Sequence, residues 1–198
     1  ALQILADVKA HFNIPILTDV HEKSDCELVK DTVDVIQIPA FLCRQTELLI
    51  AAAKTGKTIN LKKGQFVNAE IMQLAAEKMI ANGNKNIWLT ERGTMFGYND
   101  LIVDFRNIQQ MKSFGFPVIF DATHSVQQPN QAIGTSGGKP EFIETLAKCA
   151  IVSGADGIFL ETHPKPINAL SDGTNMLALH EVKKLLEKLK QLKAINSL

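Results

Sequence analysis

The sequence has little cysteine, no net charge and no long hydrophobic run. Its three cysteines lie far apart among 198 residues, and no two of them form a C-x-x-C pair. This argues against a disulfide framework or a zinc module and indicates a reduced, cytoplasmic protein. Lysine plus arginine and aspartate plus glutamate both number 21, which gives no support to a nucleic-acid or membrane partner. No apolar stretch is long enough to span a bilayer.

What the chain does have is six short, β-branched apolar runs, each of which stops abruptly at polar or charged residues. The six endings are Thr18-Asp19, Gln37, Lys62-Lys63, Glu91-Arg92, Asp121-Ala122-Thr123-His124 and Glu161-Thr162-His163. Short, nearly continuous apolar runs are typical of strands covered on both faces. Helix signals separate them, among them residues 46–54 before Gly56 and residues 68–81 before Gly83.

This alternation predicts an α/β fold with a parallel sheet, in which the carboxyl ends of the strands share one ligand-binding rim. A complete (β/α)₈ barrel needs about 250 residues and eight strands. Closure into a barrel is therefore open at this point, and a barrel would lack two βα units at its amino-terminal side. No composition shift marks a linker, so residues 1–198 are predicted to form one domain.

Basic residues end two of the runs. Lys62 and Lys63 are adjacent, so they point to opposite sides of a strand and only one can face a binding site. A lysine buried at a strand end favours an anionic ligand. Arg92 offers a planar fork suited to phosphate or carboxylate, and a salt bridge to Glu91 is the competing interpretation.

Acidic and imidazole side chains end the next two runs. His124 closes one run, Glu161 and His163 share a strand face, and Asp172 lies in the loop beyond. These are the side chains that divalent ions take from proteins, although no closely spaced ligand motif is present. The long, polar, glycine-rich loop at residues 125–139 is typical of a mobile lid, and a tolerated insertion is the alternative.

Five strings carry a specific family resemblance: residues 37–46, 60–66, 90–99, 120–127 and 161–164. They closely resemble the 3-deoxy-D-manno-octulosonate 8-phosphate synthases, in order and over essentially the whole chain. The resemblance implies a TIM-type (β/α)₈ barrel, of which about six βα units are present here. It also implies a transferase that condenses phosphoenolpyruvate with arabinose 5-phosphate for lipopolysaccharide biosynthesis.

The resemblance further implies a role for each matching position. Lys62 and Arg92 match the residues that hold phosphoenolpyruvate, and Gln37 and the Ala40 backbone match positions beside them. Phe41 matches the residue that lines the gap between the substrates, and Arg44 matches one that reaches a neighbouring subunit. Three of the four metal-ligand positions are matched by His124, Glu161 and Asp172. Lys62, His124 and Asp172 are the expected catalytic residues. The fourth ligand position is expected in an absent amino-terminal segment.

A metal-dependent enzyme is favoured because Ser171 precedes Asp172 and Cys43 lies in a string typical of that branch. The expected ion is Zn²⁺, Fe²⁺ or Mn²⁺, and the metal-independent branch would need none. Two other interpretations stay open: a related 3-deoxy-heptulosonate phosphate synthase, and a truncated fragment that at most binds. The isolated chain is expected to be inactive, and the full-length protein to be a homotetramer.

Overall fold

The computed structural model describes residues 1–97, 100–129 and 137–195, which fall into two compact units, 1–90 and 91–198. Each unit is described by itself, and the prediction of one domain stays a prediction. Part of the predicted lid loop, residues 130–136, lies outside the described residues. The division falls between Thr90 and Glu91, near the end of one strand.

The first unit alternates helices with parallel strands. Its elements are α1 (Leu2–Phe12), β1 (Leu17–Asp19), α2 (Lys23–Val29), β2 (Val35–Ile38), α3 (Thr46–Lys54), β3 (Thr58–Lys62), α4 (Ala69–Ala81) and β4 (Ile87–Glu91). Each strand pairs in parallel with the next one along the chain, in the order β1-β2-β3-β4. The predicted strands are therefore present, with ends shifted by up to three residues.

Local signals explain where these helices begin. Asn68 caps α4, because its side chain accepts a hydrogen bond from the Ile71 backbone at 3.1 Å, as asparagine prefers to do at a helix start. The capping box of α2 is formed by Glu22 and Asp25, and it sets the start of this helix at Lys23. In α4, Met72 and Met79 are buried, as expected for residues two turns apart on one face.

The second unit contains the remaining elements. They are β5 (Thr94–Gly97), β6 (Asp100–Ile102), α5 (Arg106–Ser113), β7 (Val118–Asp121), β8 (Gln127–Gln128), β9 (Gly137–Gly138), α6 (Ile143–Val152), β10 (Gly157–Phe159), β11 (Thr162–His163), β12 (Leu177–Ala178) and α7 (Leu179–Ile195). Strands β7 and β10 pair in parallel. Two small antiparallel pairs, β5-β6 and β8-β9, and the parallel pair β11-β12 complete the unit.

The last helix, α7, packs on α6. Leu185 and Leu189 are buried, whereas Leu186 is exposed, so only part of the apolar surface of this helix faces a core. An ion pair between Lys188 and Glu144, at 2.6 Å, also joins the two helices. Among the described residues, no helix is long and apolar enough to cross a membrane.

All six predicted strands are parallel and alternate with helices in their own units. The predicted α/β class is confirmed. The repeat is that of a partial TIM-type (β/α)₈ fold, in which carboxyl ends of strands carry the ligand-binding residues.

Candidate active site

In the first unit, a row of polar side chains crosses the carboxyl-terminal half of the sheet. Thr90 donates a hydrogen bond to Asn60 at 2.5 Å, Asn60 donates to Gln37 at 2.7 Å, and Gln37 donates to Asp19. These four residues belong to four neighbouring strands, and we call them the polar ladder. The amides of Asn60 and Gln37 each accept from one side and donate to the other, so both are satisfied although they are buried.

The two adjacent lysines at the end of β3 have different surroundings. Lys63 is fully buried, and its ammonium group donates to the carbonyl oxygens of Gly64 and Val67 at 3.2 and 3.3 Å. Lys62 is 6% exposed. It shares a strand face with Asn60, because the two residues are two positions apart in one strand. Lys62 therefore lies on the face that carries the polar ladder, as a binding residue at the strand end would.

The loop after β2 carries three of the residues that the family resemblance marked. A short 3₁₀ helix at Ala40–Leu42 follows the strand directly, and Ala40 is buried. The Phe41 side chain is 69% exposed, and Arg44 is exposed as well. A large exposed aromatic ring and an exposed guanidinium next to a strand end are available to a ligand or another chain.

In the second unit, Arg92 is a buried cation. Its Nη2 atom donates to Oε1 of Gln127 at 2.7 Å, whereas its buried Nη1 atom has no hydrogen-bond partner within the described chain. Burial lowers the pKa of the Arg92 guanidinium, and three nearby carboxylates, of which Asp121 has the largest effect, act in the opposite direction. A buried guanidinium N–H donor without a hydrogen-bond partner is suited to bind an anion.

Gln127 links this arginine to Asp172. Its Nε2 atom donates to Oδ1 of Asp172 at 2.7 Å, so one amide contacts a cation at its oxygen and an anion at its nitrogen. Sequence reasoning did not assign a role to Gln127. The only signal was its place in the string at residues 120–127, since a neutral amide carries no chemistry of its own.

His124 is held by Asp121 in the same turn. Its Nδ1 atom lies 2.7 Å from Oδ2 of Asp121, and its Nε2 atom lies 3.4 Å from Oε1 of Glu161. Oδ1 of Asp121 accepts from the backbone of Thr123 and His124. A carboxylate at Nδ1 favours the tautomer that leaves the Nε2 lone pair available to a metal.

The predicted ligand set comes together in this unit. One side-chain ligand atom each from His124, Glu161 and Asp172 lies within 4.8 Å of the others. The Glu161 backbone donates to the Thr123 hydroxyl at 2.7 Å, which fixes the chain after β10. Asp172 has a left-handed backbone with φ of 52°, a conformation that aspartate tolerates better than most residues. One imidazole and two carboxylates fit a divalent transition metal.

His163 does not join this group. Its Nδ1 atom forms its hydrogen bonds with the Lys165 backbone, at 2.7 and 3.0 Å. Strand alternation placed it on the face of Glu161, but β10 ends at Phe159 and a new strand begins at Thr162. The i, i+2 rule applies only within one continuous strand, so the expectation did not carry across this break.

These features define a class of protein: a (β/α)-type protein with cationic strand ends and a His, Glu, Asp cluster of the kind that holds a divalent metal. The chain belongs to the DAHP synthetase I family, whose model matches residues 1–197.

Curated relatives narrow the comparison. The "2-dehydro-3-deoxyphosphooctonate aldolase" of Bartonella henselae is 54% identical over 189 residues, which cover 96% of this chain and 68% of the relative. The protein of the same name from Rhizobium meliloti is 53% identical over 189 residues, which cover 96% of this chain and 68% of that relative. The one from Agrobacterium fabrum is 53% identical over 195 residues, which cover 98% of this chain and 69% of that relative. The family resemblance predicted from the sequence is confirmed.

Proposed function

We propose that this chain is a transferase that condenses phosphoenolpyruvate with D-arabinose 5-phosphate and water. The products are 3-deoxy-D-manno-octulosonate 8-phosphate, a precursor in lipopolysaccharide biosynthesis, and inorganic phosphate. One structural observation carries the proposal. Arg92 is a buried cation with a spare donor, and Gln127 connects it to a carboxylate of the His124, Glu161 and Asp172 group. The names of the relatives give the eight-carbon phosphorylated compound, and the family resemblance implies the two substrates.

The electrostatic problem of this reaction explains why fixed cations are needed. Phosphoenolpyruvate carries a phosphate and a carboxylate, and the sugar carries a second phosphate. Fixed cations lower the cost of assembling these anions and orient the reacting carbons. The family resemblance assigns both Arg92 and Lys62 to phosphoenolpyruvate.

The remaining binding residues are assigned from the family resemblance. Gln37 and the Ala40 backbone are assigned to phosphoenolpyruvate, Phe41 to the space between the substrates, and Arg44 to a neighbouring subunit of a homotetramer. For Gln37, the polar ladder supports the assignment because neighbours on both sides hold its amide in one orientation. For Phe41 and Arg44, the support is their exposure after a strand end.

His124, Glu161 and Asp172 would hold a Zn²⁺, Fe²⁺ or Mn²⁺ ion. When bound, such an ion supplies Lewis-acid chemistry. In the reaction, a carbon–carbon bond forms between the enol and the aldehyde, water supplies the new oxygen, and phosphate leaves. We assign catalytic roles to Lys62, His124 and Asp172, with Asp121 holding the proton of His124 at Nδ1.

The proposed reaction is tested by measuring phosphate release from the full-length protein with both substrates. We expect release only when phosphoenolpyruvate and arabinose 5-phosphate are both present, with an eight-carbon product by mass spectrometry. Arg92→Ala should raise the KM for phosphoenolpyruvate selectively, by ~10-fold or more, because a charge-assisted contact is lost. Release with a four-carbon aldose phosphate instead would identify the related heptulosonate synthase, and no release would contradict both.

Metal dependence needs its own test. Chelator should abolish activity and Mn²⁺ or Zn²⁺ should restore it, while Glu161→Gln should lower bound metal measured by mass spectrometry. Glu77→Gln, an exposed change on α4, is the matched control. Full turnover by chelated protein that contains no metal would place the chain in the metal-independent branch. The homotetramer and the cytoplasmic location stay proposals.

A further inference from the structure

Gln127 occupies a place where only a neutral amide in one orientation fits. An amide oxygen accepts hydrogen bonds and an amide nitrogen donates them. Here the oxygen faces the guanidinium of Arg92 and the nitrogen faces the carboxylate of Asp172, both at 2.7 Å. Turning the amide around would set two donors and two acceptors against each other. The two charges therefore fix the amide, and the amide in turn fixes both of them.

The contacts of Gln127 leave one atom of each charged group for other partners. On Arg92, Gln127 takes Nη2, and the buried Nη1 has no partner in the described chain. On Asp172, Gln127 takes Oδ1, which a second amide, Asn175, approaches at 3.5 Å. The other carboxylate oxygen is thus left for an ion. Gln127 selects which atom of each group faces a ligand.

The backbone around Gln127 is itself held in place. Gln127 pairs with Gly138 across the β8-β9 pair. A Cβ added to Gly138 would lie 1.6 Å from Oδ1 of Asn175, so a glycine is required for this close approach. Asn175 also donates its backbone N–H to the Asp172 carbonyl at 2.8 Å. Strand β9, which pairs with β8, is therefore packed directly against the Asp172 loop.

We propose that Gln127 is a positioning residue that couples anion binding at Arg92 to metal binding at Asp172. The proposal rests on the proposed function, which supplies the anion and the metal. An anion on Nη1 fixes the guanidinium, which fixes the Gln127 amide and with it the rotamer of Asp172. The second ligand then binds to a group that is already ordered, and the effect is reciprocal because it is a coupling free energy.

The experiment measures this coupling without turnover. Mn²⁺ is titrated by calorimetry into metal-stripped, full-length protein, with and without phosphoenolpyruvate and with no sugar phosphate present. In the unchanged protein we expect phosphoenolpyruvate to tighten Mn²⁺ binding at least ~5-fold, the lower end of typical couplings. In Gln127→Ala the factor should fall below ~2-fold, a remainder from direct attraction between the two ligands.

Gln128→Ala is the matched control. It makes the same change on the same strand, and the Gln128 amide contacts Asp100 instead, at 2.6 Å. Its coupling should equal that of the unchanged protein. Gln127→Glu, which keeps an acceptor for Arg92 but sets a carboxylate against Asp172, is a second variant in case Gln127→Ala does not fold, and it should also lose the coupling.

Two outcomes would overturn the proposal: no coupling in the unchanged protein, or full coupling in both Gln127 variants. A failure of the proposed function looks different. In that case phosphoenolpyruvate alone, or Mn²⁺ alone, would not bind to the unchanged protein in separate titrations. Overall loosening by the mutation would weaken each ligand alone but would leave the ratio of Mn²⁺ affinities intact, so the ratio separates positioning from a merely structural role.

Discussion

Replacing Thr90 by valine tests whether the polar ladder stabilises the first unit. Thr90 is 0% exposed and Asn60 is 1% exposed, and the threonine hydroxyl donates to Oδ1 of Asn60 at 2.5 Å. Valine has nearly the same shape as threonine, so the substitution creates no large cavity. It removes the hydroxyl and leaves Oδ1 of Asn60 buried without this donor.

The cost follows from that orphaned acceptor. Leaving a buried polar atom unsatisfied costs about 1–3 kcal/mol, and we expect the free energy of unfolding to fall by about that amount. Asn60→Leu should cost more, about 2–5 kcal/mol, because it orphans both the Thr90 hydroxyl and Oε1 of Gln37. The double variant should cost less than the sum, since both single changes break the same Thr90–Asn60 bond.

Urea unfolding of the full-length protein, followed by circular dichroism, measures these differences. Thr58→Val is the matched control, because Thr58 lies at the partly exposed start of β3 and should change the free energy of unfolding by less than about 0.5 kcal/mol. A cost for Thr90→Val as small as that of Thr58→Val would refute the reasoning. Strict additivity of Thr90→Val and Asn60→Leu would do so as well.

Two further predictions concern titrating groups. Cys149 is exposed, whereas the other two cysteines are buried, and burial raises the pKa of Cys26 to about 11. One thiol of these three should therefore react quickly with a disulfide reagent at pH 8, whereas all three should react in urea. Two fast-reacting thiols in the folded protein would contradict this prediction. Hydrogen bonds from Lys148 and Lys188 lower the pKa of Glu144 to about 2. Its stabilising contribution is complete above the unfolded pKa near 4.5 and is lost as pH falls towards 2. Because the ion pairs of Glu144 with the two lysines are about 40% exposed, Glu144→Gln should lower the free energy of unfolding by under about 1 kcal/mol at pH 7. The variant should also lose less stability than the unchanged protein as the pH falls. Identical curves of stability against pH for the two proteins would refute this prediction.

The sequence predicts the strands of this protein well because each one ends where apolar residues give way to polar ones. The exact ends differ because hydrogen bonding, not hydropathy, decides where a strand stops. The apolar run that stops at Thr18-Asp19 covers residues 14–17, yet β1 is Leu17–Asp19. Pro15 has no N–H to donate, whereas the polar residues Thr18 and Asp19 pair with β2 in register.

Short elements with weak patterns were not predicted. Helix α5 has the sequence RNIQQMKS, and its only large apolar residues, Ile108 and Met111, are buried. Two such residues are too few to show a helical period. The β5-β6 pair follows Arg92 without a run of alternating residues, so no residue pattern predicts it.

A repeated ion pair at strand starts was also beyond sequence reasoning. In each unit, an aspartate just before a strand accepts a hydrogen bond from a backbone N–H at the start of the neighbouring strand. The same aspartate pairs with a lysine from the helix that precedes this neighbouring strand. The two sets are Asp34, Ile16 and Lys9 in the first unit and Asp156, Val118 and Lys112 in the second. The lysine and aspartate are 25 residues apart in one set and 44 in the other. No local pattern connects residues at such separations.

For the candidate site, the sequence identifies the charged groups but not what links them. Lys62 and Arg92 could be selected because a charge buried at a strand end is costly unless it binds something, and Asp172 because its side-chain type suits a divalent ion. The links that were missed are neutral: Asn60 in the first unit and Gln127 in the second. Gln37 was selected only because it ends an apolar run and matches a family position. A neutral amide has no strong preference for a strand end, and its partners lie on other strands.

These amides matter because each satisfies an acceptor on one side and a donor on the other. A charged side chain in the same place would repel one of its two neighbours, and an aliphatic one would leave both unpaired. The requirement becomes visible only when both neighbours of an amide are known. Sequence reasoning can therefore select the groups that contact a ligand in such a site. The residues that hold those groups in place must be found from the hydrogen bonds.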